Sequence, residues 1–117
     1  MHKLIYKICP ASLWEQAESE GVFHGAPVDA SDGFIHFSTA QQLSETAAKH
    51  FADQDNLLLI TVATEPLGEQ LKWEPSRGGE LFPHLYAPLN LEHARRVDVF
   101  PLDAAGNHII PPHVFDA

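Results

Sequence analysis

The chain predicts a small single domain of the α+β class, and three observations carry that prediction. Two helix-start signatures fall in the first half, most strand-like runs fall in the second, and the two do not alternate as they would around a parallel βαβ sheet. At 117 residues the chain is one domain by size, able to bury about two thirds of its unfolded surface without a disulfide or metal.

The elements follow in order. Leu4–Ile8 reads as a strand, with Leu4, Tyr6 and Ile8 on one face and Lys7 on the other, stopped by Pro10. Ser12-x-x-Glu15 matches a capping box, opening a helix that turns Leu13, Trp14 and Ala17 inward and ends before Gly21. Residues 22–32 read as a loop closed by an Asp32-Gly33 turn. Phe34–Phe37 is a strand, and Thr39-x-x-Gln42 is a second capping box. The helix it starts runs to about Phe51, with Ala40, Leu43, Ala47 and Phe51 on one stripe. Residues 56–63 form the most apolar stretch, expected as a central strand covered on both faces. Gln70–Glu74 is a short alternating strand and 75–80 a glycine-containing loop. Leu81–Leu89 is an extended segment that its two prolines place near a sheet edge. Ala94–Leu102 is a strand, with 108–110 pairing back across an A-A-G-N turn, and residues 111–117 read as a loosely ordered tail. There is no internal repeat, linker or low-complexity segment.

Composition bounds the function. Hydrophobic residues make up 44% and charged residues 20%, as expected for a soluble globular protein. Seven Lys and Arg against sixteen Asp and Glu, for a net charge of −9, argue against a nucleic-acid partner while leaving room for a small anion held by local donors. No apolar run reaches the roughly 18 residues of a membrane span, and Lys7 interrupts the apolar N-terminal run. The lone Cys9 cannot form an internal disulfide and reads as a structural thiol. The expected location is the cytoplasm.

Two stretches carry candidate chemistry. Along a strand, side chains two apart share a face, so Phe34, His36 and Ser38 point one way and Ile35 and Phe37 the other. A histidine, a hydroxyl and the helix start at Ser38 or Thr39 together suit a phosphate; the same pattern also fits a helix cap beside a hydrogen-bonded core histidine. By the same parity Phe82, His84 and Tyr86 share a face, which suits a stacked base or nicotinamide and equally a proline-pinned strand with wet polar tips. Trp73 lies opposite Lys72 and Glu74. Glu74 fits an acid, an acceptor for a ribose hydroxyl or a surface charge, and Arg77 fits a phosphate clamp or a solvated loop residue. No His-Glu-x-x-His, paired-cysteine zinc motif or Gly-x-Ser-x-Gly elbow occurs. The eight histidines match no metal-ligand spacing, although His36, His84 and Glu74 meeting in space would make a rival metal site.

I-Y-K-I near the start, Trp14, D-G-F-I-H-F-S-T-A-Q-Q, L-K-W-E and G-G-E-L-F-P-H-L-Y-A-P-L occur in that order. With these blocks the chain resembles the domain-of-unknown-function 952 family from about Leu4 to Val99. The resemblance implies an ADP-ribosyltransferase-like fold, in which two small split β-sheets enclose an NAD cleft. G-F-I-H-F-S is also similar to a segment of RNA 2′-phosphotransferases, and this nominates His36 and Ser38. The F-P-H-x-Y block nominates His84 and Tyr86, and the W-E block Trp73 and Glu74. The chain departs from its relatives at Lys7, where many carry histidine. The implied site has His36, Glu74 and His84 as catalytic residues and Lys7, Ser38, Thr39, Trp73, Arg77, Phe82 and Tyr86 as ligand contacts. NAD is the implied substrate, with no metal. The rivals are a non-catalytic module for a nucleotide-like ligand and a metal-binding protein.

Overall fold

The computed structural model describes residues 2–115, apart from the side chain of Arg77. Its frame is an antiparallel sheet of β1 (Leu4–Pro10), β4 (Leu57–Ala63) and β8 (Ala94–Val99), with β4 in the middle. β4 pairs with β1 from Leu57↔Pro10 to Ala63↔Leu4. It is buried on both faces because alternate residues serve two cores. Ile60 and Val62 join Ile5, Cys9, Trp14 and Phe23 on one side. Leu57 and Leu59 join Tyr6, Ile8, Leu43, Phe100 and Val114 on the other. The apolar run of this strand reads correctly as central.

α1 (Ala11–Glu20) leaves β1 directly and buries Trp14 and Ala17 against the first core. Its Ser12–Glu15 capping box does not form. The helix starts two residues earlier, after Pro10, and the Ala11 amide is satisfied by the Asn56 carbonyl at 2.8 Å. Gly21, at φ 81°, closes the helix in the left-handed conformation. Residues 22–32 are not a loop. They hold β2 (Val22–Phe23), which pairs with β7 (Leu89–Asn90), and a third, six-residue helix, α2 (Pro27–Asp32). Pro27 suits a first helical position, and the Asp29 carboxylate accepts from the Ala26 amide at 2.7 Å.

The second three-stranded sheet has the order β3 (Ile35–His36), β6 (Leu81–Leu85), β5 (Leu71–Pro75). β6 is thus central and not an edge strand. The structure accommodates Pro83 there because its carbonyl accepts from Phe37 N at 3.0 Å, just past the end of two-residue β3. Its missing amide therefore breaks no long ladder. The second capping signature does operate in one half: Gln42 Oε1 accepts from Thr39 N at 3.0 Å. A short turn at Ala40–Gln42 then leads into α3 (Leu43–His50), which buries Leu43 and Ala47. At the other end, Leu102 bridges His108 as expected. Residues 111–115 are held, since Pro112–Phe115 forms a turn that buries Val114 in the second core; Asp116 and Ala117 lie outside the described residues.

Candidate functional site

Among the described residues one backbone bridge joins the two larger sheets. Tyr6 and Ser38 exchange backbone hydrogen bonds of 2.8 Å in each direction. A cleft of about 600 Å³ lies beside that bridge, with Tyr6 and Ser38 in its lining. Lys7 of β1, His36 of β3, Phe82 and His84 of β6, Ser38 and Asp32 all line it. The parity reading holds here: Ile35 and Phe37 are in the first core, while His36 and Ser38 reach the cleft.

His36 and His84 sit directly opposite each other in the β3–β6 register, with ring centroids 5.4 Å apart. Phe34 packs against both rings, at 4.6 Å from His36 and 4.1 Å from His84. Each histidine has its Nδ1 against a carboxylate. His36 Nδ1 lies 2.6 Å from Asp29 Oδ1, and His84 Nδ1 lies 2.9 Å from Glu74 Oε1. A carboxylate can only accept, so both rings carry the Nδ1 proton, which fixes their orientation and leaves Nε2 of His84 as the variable atom. His36 Nε2 is also in ion-pair contact with Asp32 at 2.9 Å.

Asp29 is the hub of the site and was not nominated from the sequence. It is 1% exposed. Its oxygens accept from Lys7 Nζ at 2.9 and 3.1 Å, from Ala26 N at 2.7 Å and from His36 N at 3.1 Å, besides the His36 ring. Burial on its own raises the pKa of this carboxyl. The hydrogen bond from His36, the charge and hydrogen bond of Lys7 and the Ala26 amide outweigh it and hold the group at about 2. Gly25 lets the chain pass this close, because at φ 106° an added Cβ would stand 2.8 Å from the Asp29 Cβ. On the second dyad, Glu74 also accepts from the Tyr86 hydroxyl at 2.7 Å. That bond and the one from His84 lower the Glu74 pKa, and the Tyr86 phenol is raised in return.

The other nominated residues divide. Lys7 lines the cleft, but it is buried and its ammonium is engaged by Asp29 and not simply extended toward a ligand. Ser38 lines the cleft with its hydroxyl 3.2 Å from that of Thr46. Phe82 forms part of the wall. Thr39 does not: it is buried outside the cleft lining, and its amide donates to the Gln42 side chain. Trp73 lies on the opposite face of β5 from Glu74 and stacks on His2 at 5.3 Å, because neighbouring strand residues point to opposite faces. Glu74 and Tyr86 back His84 from outside the lining. Arg77 lies on the Arg77–Gly79 turn, and its side chain is outside the described structure. Cys9 is buried, which pushes its thiol up to about 11 against the opposing charge of Lys7, as befits a structural thiol. Among the described residues no group of three or more His, Cys, Asp or Glu is placed to hold a metal ion. His36 and His84 turn toward separate carboxylates instead of a shared centre.

The fold and the cleft define a small α+β protein with two carboxylate-backed histidines facing one site. Residues 8–97 match the protein family of unknown function DUF952, and the chain belongs to that family. It is similar to the crystal structure of protein CC0527 from Caulobacter crescentus, at 50% identity over 96% of this chain and 98% of that one, with a TM-score of 0.91. A crystal structure of a double mutant of CC0527 gives 48% identity over the same shares and the same TM-score. The solution NMR structure of CC0527 gives 53% identity over 89% and 90%, with a TM-score of 0.81. No curated protein matches the chain.

Proposed function

We propose that this protein binds a nucleotide-like ligand in the inter-sheet cleft and acts on NAD as an ADP-ribosyl- or phosphotransferase-like enzyme. One observation carries the reading: two histidines in register on adjacent strands, each fixed through Nδ1 by a carboxylate, line one cleft of about 600 Å³. That volume falls within the roughly 300–1,000 Å³ of small-molecule sites. Tyr6, Phe51 and Phe82 supply apolar wall for a base or nicotinamide, and the Ser38 and Thr46 hydroxyls and the Lys7 ammonium lie on its polar side.

NAD supplies a ribose carbon whose bond to nicotinamide breaks with the electron pair leaving on the ring. The chain's own task is to hold the ribose and to take the proton of the acceptor hydroxyl that adds at that carbon. His84 suits the second role: Glu74 holds Nδ1 and supports the positive charge of the ring when Nε2 gains that proton. His36, opposite it in the strand register, suits the first by holding the phosphate that adjoins the ribose. Glu74 itself acts through His84, because its Oε1 is already occupied by His84 and Tyr86.

A non-catalytic binding module is the second reading, favoured by a specific feature. Neither Asp29 nor Glu74 lines the cleft, so neither carboxylate is placed to steady an oxocarbenium-like state there. Melting with and without millimolar NAD, followed by an assay for nicotinamide release, separates the cases. At about a hundred times Kd a ligand adds about 2.7 kcal/mol, several degrees for a domain of this size. A rise with release that His84→Gln abolishes supports the enzyme; a rise without release supports the module. An unchanged melting temperature of the wild type rejects both for NAD.

A further inference from the structure

The two nitrogens of His36 are held differently. Nδ1 meets Asp29 in a contact that is both an ion pair and a hydrogen bond, at 2.6 Å. Asp29 is itself immobilised by Lys7, by the Ala26 amide and by burial. Phe34 packs against the ring at 4.6 Å. The direction of Nε2 is therefore set by the fold and does not depend on what Nε2 touches. Its partner is Asp32, in ion-pair contact at 2.9 Å. Asp32 is the last residue of α2, its side chain is 46% exposed, and it lines the cleft beside His36. Among the described residues His36 is its one ion-pair partner. A ring nitrogen whose direction is fixed thus stands in a cleft 2.9 Å from a half-exposed carboxylate.

We propose that His36 Nε2 anchors a phosphate oxygen of the ligand, and that Asp32 is a placeholder which that oxygen displaces. A phosphate oxygen makes the same charge-assisted contact as the carboxylate oxygen, so the exchange keeps the Nε2 proton matched with an anion. The exchange also explains how a protein of net charge −9 accepts an anion: selection is local, and the competing negative charge moves out of the way. The inference rests on the cleft reading only for the location of the ligand.

The test is Asp32→Asn, a change at a half-exposed helix end that keeps side-chain size while removing the competing charge. Inorganic phosphate, ADP-ribose and NAD are titrated into wild type and variant, read by the His36 ring nitrogens in NMR and by melting. Phosphate and ADP-ribose should bind about fivefold tighter to the variant, the effect of losing a surface ion-pair competitor worth about 1 kcal/mol, and should shift the Nε2 signal of His36. Equal affinities for wild type and variant, with the His36 ring unmoved, overturn the anchor while leaving the cleft reading intact. Tighter phosphate binding at His36 with no binding of NAD supports the anchor and rejects NAD as the ligand. No binding of any of the three probes to either protein rejects both.

Discussion

Replacing Asp29 with Asn tests whether the site is built on a buried charge. The side chain keeps its size and one carbonyl oxygen, so the contact with the Ala26 amide can persist. What is lost is the negative charge between Lys7 and His36, and the new amide hydrogens oppose their donors. Lys7 is 6% exposed, so its ammonium is left buried without a counter-ion. Removing one member of a buried pair costs about 3–5 kcal/mol, and for a domain of this length that lowers Tm by about 10–20 °C. The same contacts make the effect depend on pH. The folded pKa of Asp29, about 2, lies below the ordinary 3.8, a difference worth about 2 kcal/mol. The folded value is depressed, so this stability is fully present above pH 3.8 and is lost as pH falls through about 2. The gap between wild type and Asp29→Asn should therefore be widest at neutral pH and shrink by about that amount in strong acid. Urea unfolding at pH 7, 4 and 2 measures it. A gap below about 1 kcal/mol at pH 7, or one that stays constant with pH, would refute the hub.

Three further outcomes follow from single contacts. Thr61 is buried with no hydrogen-bond partner for its hydroxyl among the described residues, so Thr61→Val should stabilise the protein by about 1 kcal/mol, seen as a higher Tm; a fall in Tm would mean that the hydroxyl has a partner. Gln42 accepts from the Thr39 amide and donates to the Leu81 carbonyl at 2.9 Å, so Gln42→Ala should cost about 2 kcal/mol by loosening α3 from β6, which chemical denaturation would register. Tyr86→Phe removes the leading cause of the lowered Glu74 pKa; a carbon-detected NMR titration should show the Glu74 carboxyl rising toward its ordinary value, and an unmoved midpoint would put the cause elsewhere.

Strand periodicity made much of the site legible. Alternation over 34–38 and 82–86 placed His36, Ser38, Phe82 and His84 on the faces that meet at the cleft. The same rule separated Trp73 from Glu74, although the resemblance joined them in one block. Pattern failed where elements are shorter than their period. A six-residue helix such as α2 shows barely more than one and a half turns, so residues 22–32 read as a loop, and the small residues and two acids there carried no visible stripe. β6 was misplaced at an edge because a proline argues against a central strand; what made it tolerable, a neighbour only two residues long, is a tertiary fact.

Asp29 is the informative miss, and the clue to it lay in β1. Lys7 falls on the same face as Ile5 and Cys9, opposite Leu4, Tyr6 and Ile8. A strand with apolar residues on both faces has no solvent side, so a lysine within it is buried whichever way it points. A buried ammonium is tolerable only with a charged partner. The chain therefore required an acid brought in from elsewhere, and the unassigned stretch before the His36 strand held two, Asp29 and Asp32. Which of them it is depends on spacing along α2: Asp29, at the third helical position, turns back to the helix start and inward, whereas Asp32 ends the helix half-exposed. The same carboxylate that satisfies Lys7 then orients His36. In this molecule the requirement for a neutral core and the geometry of the candidate site are met by one residue, so a change at Asp29 is expected to disturb stability and ligand binding together, while a change at Asp32 should reach binding alone.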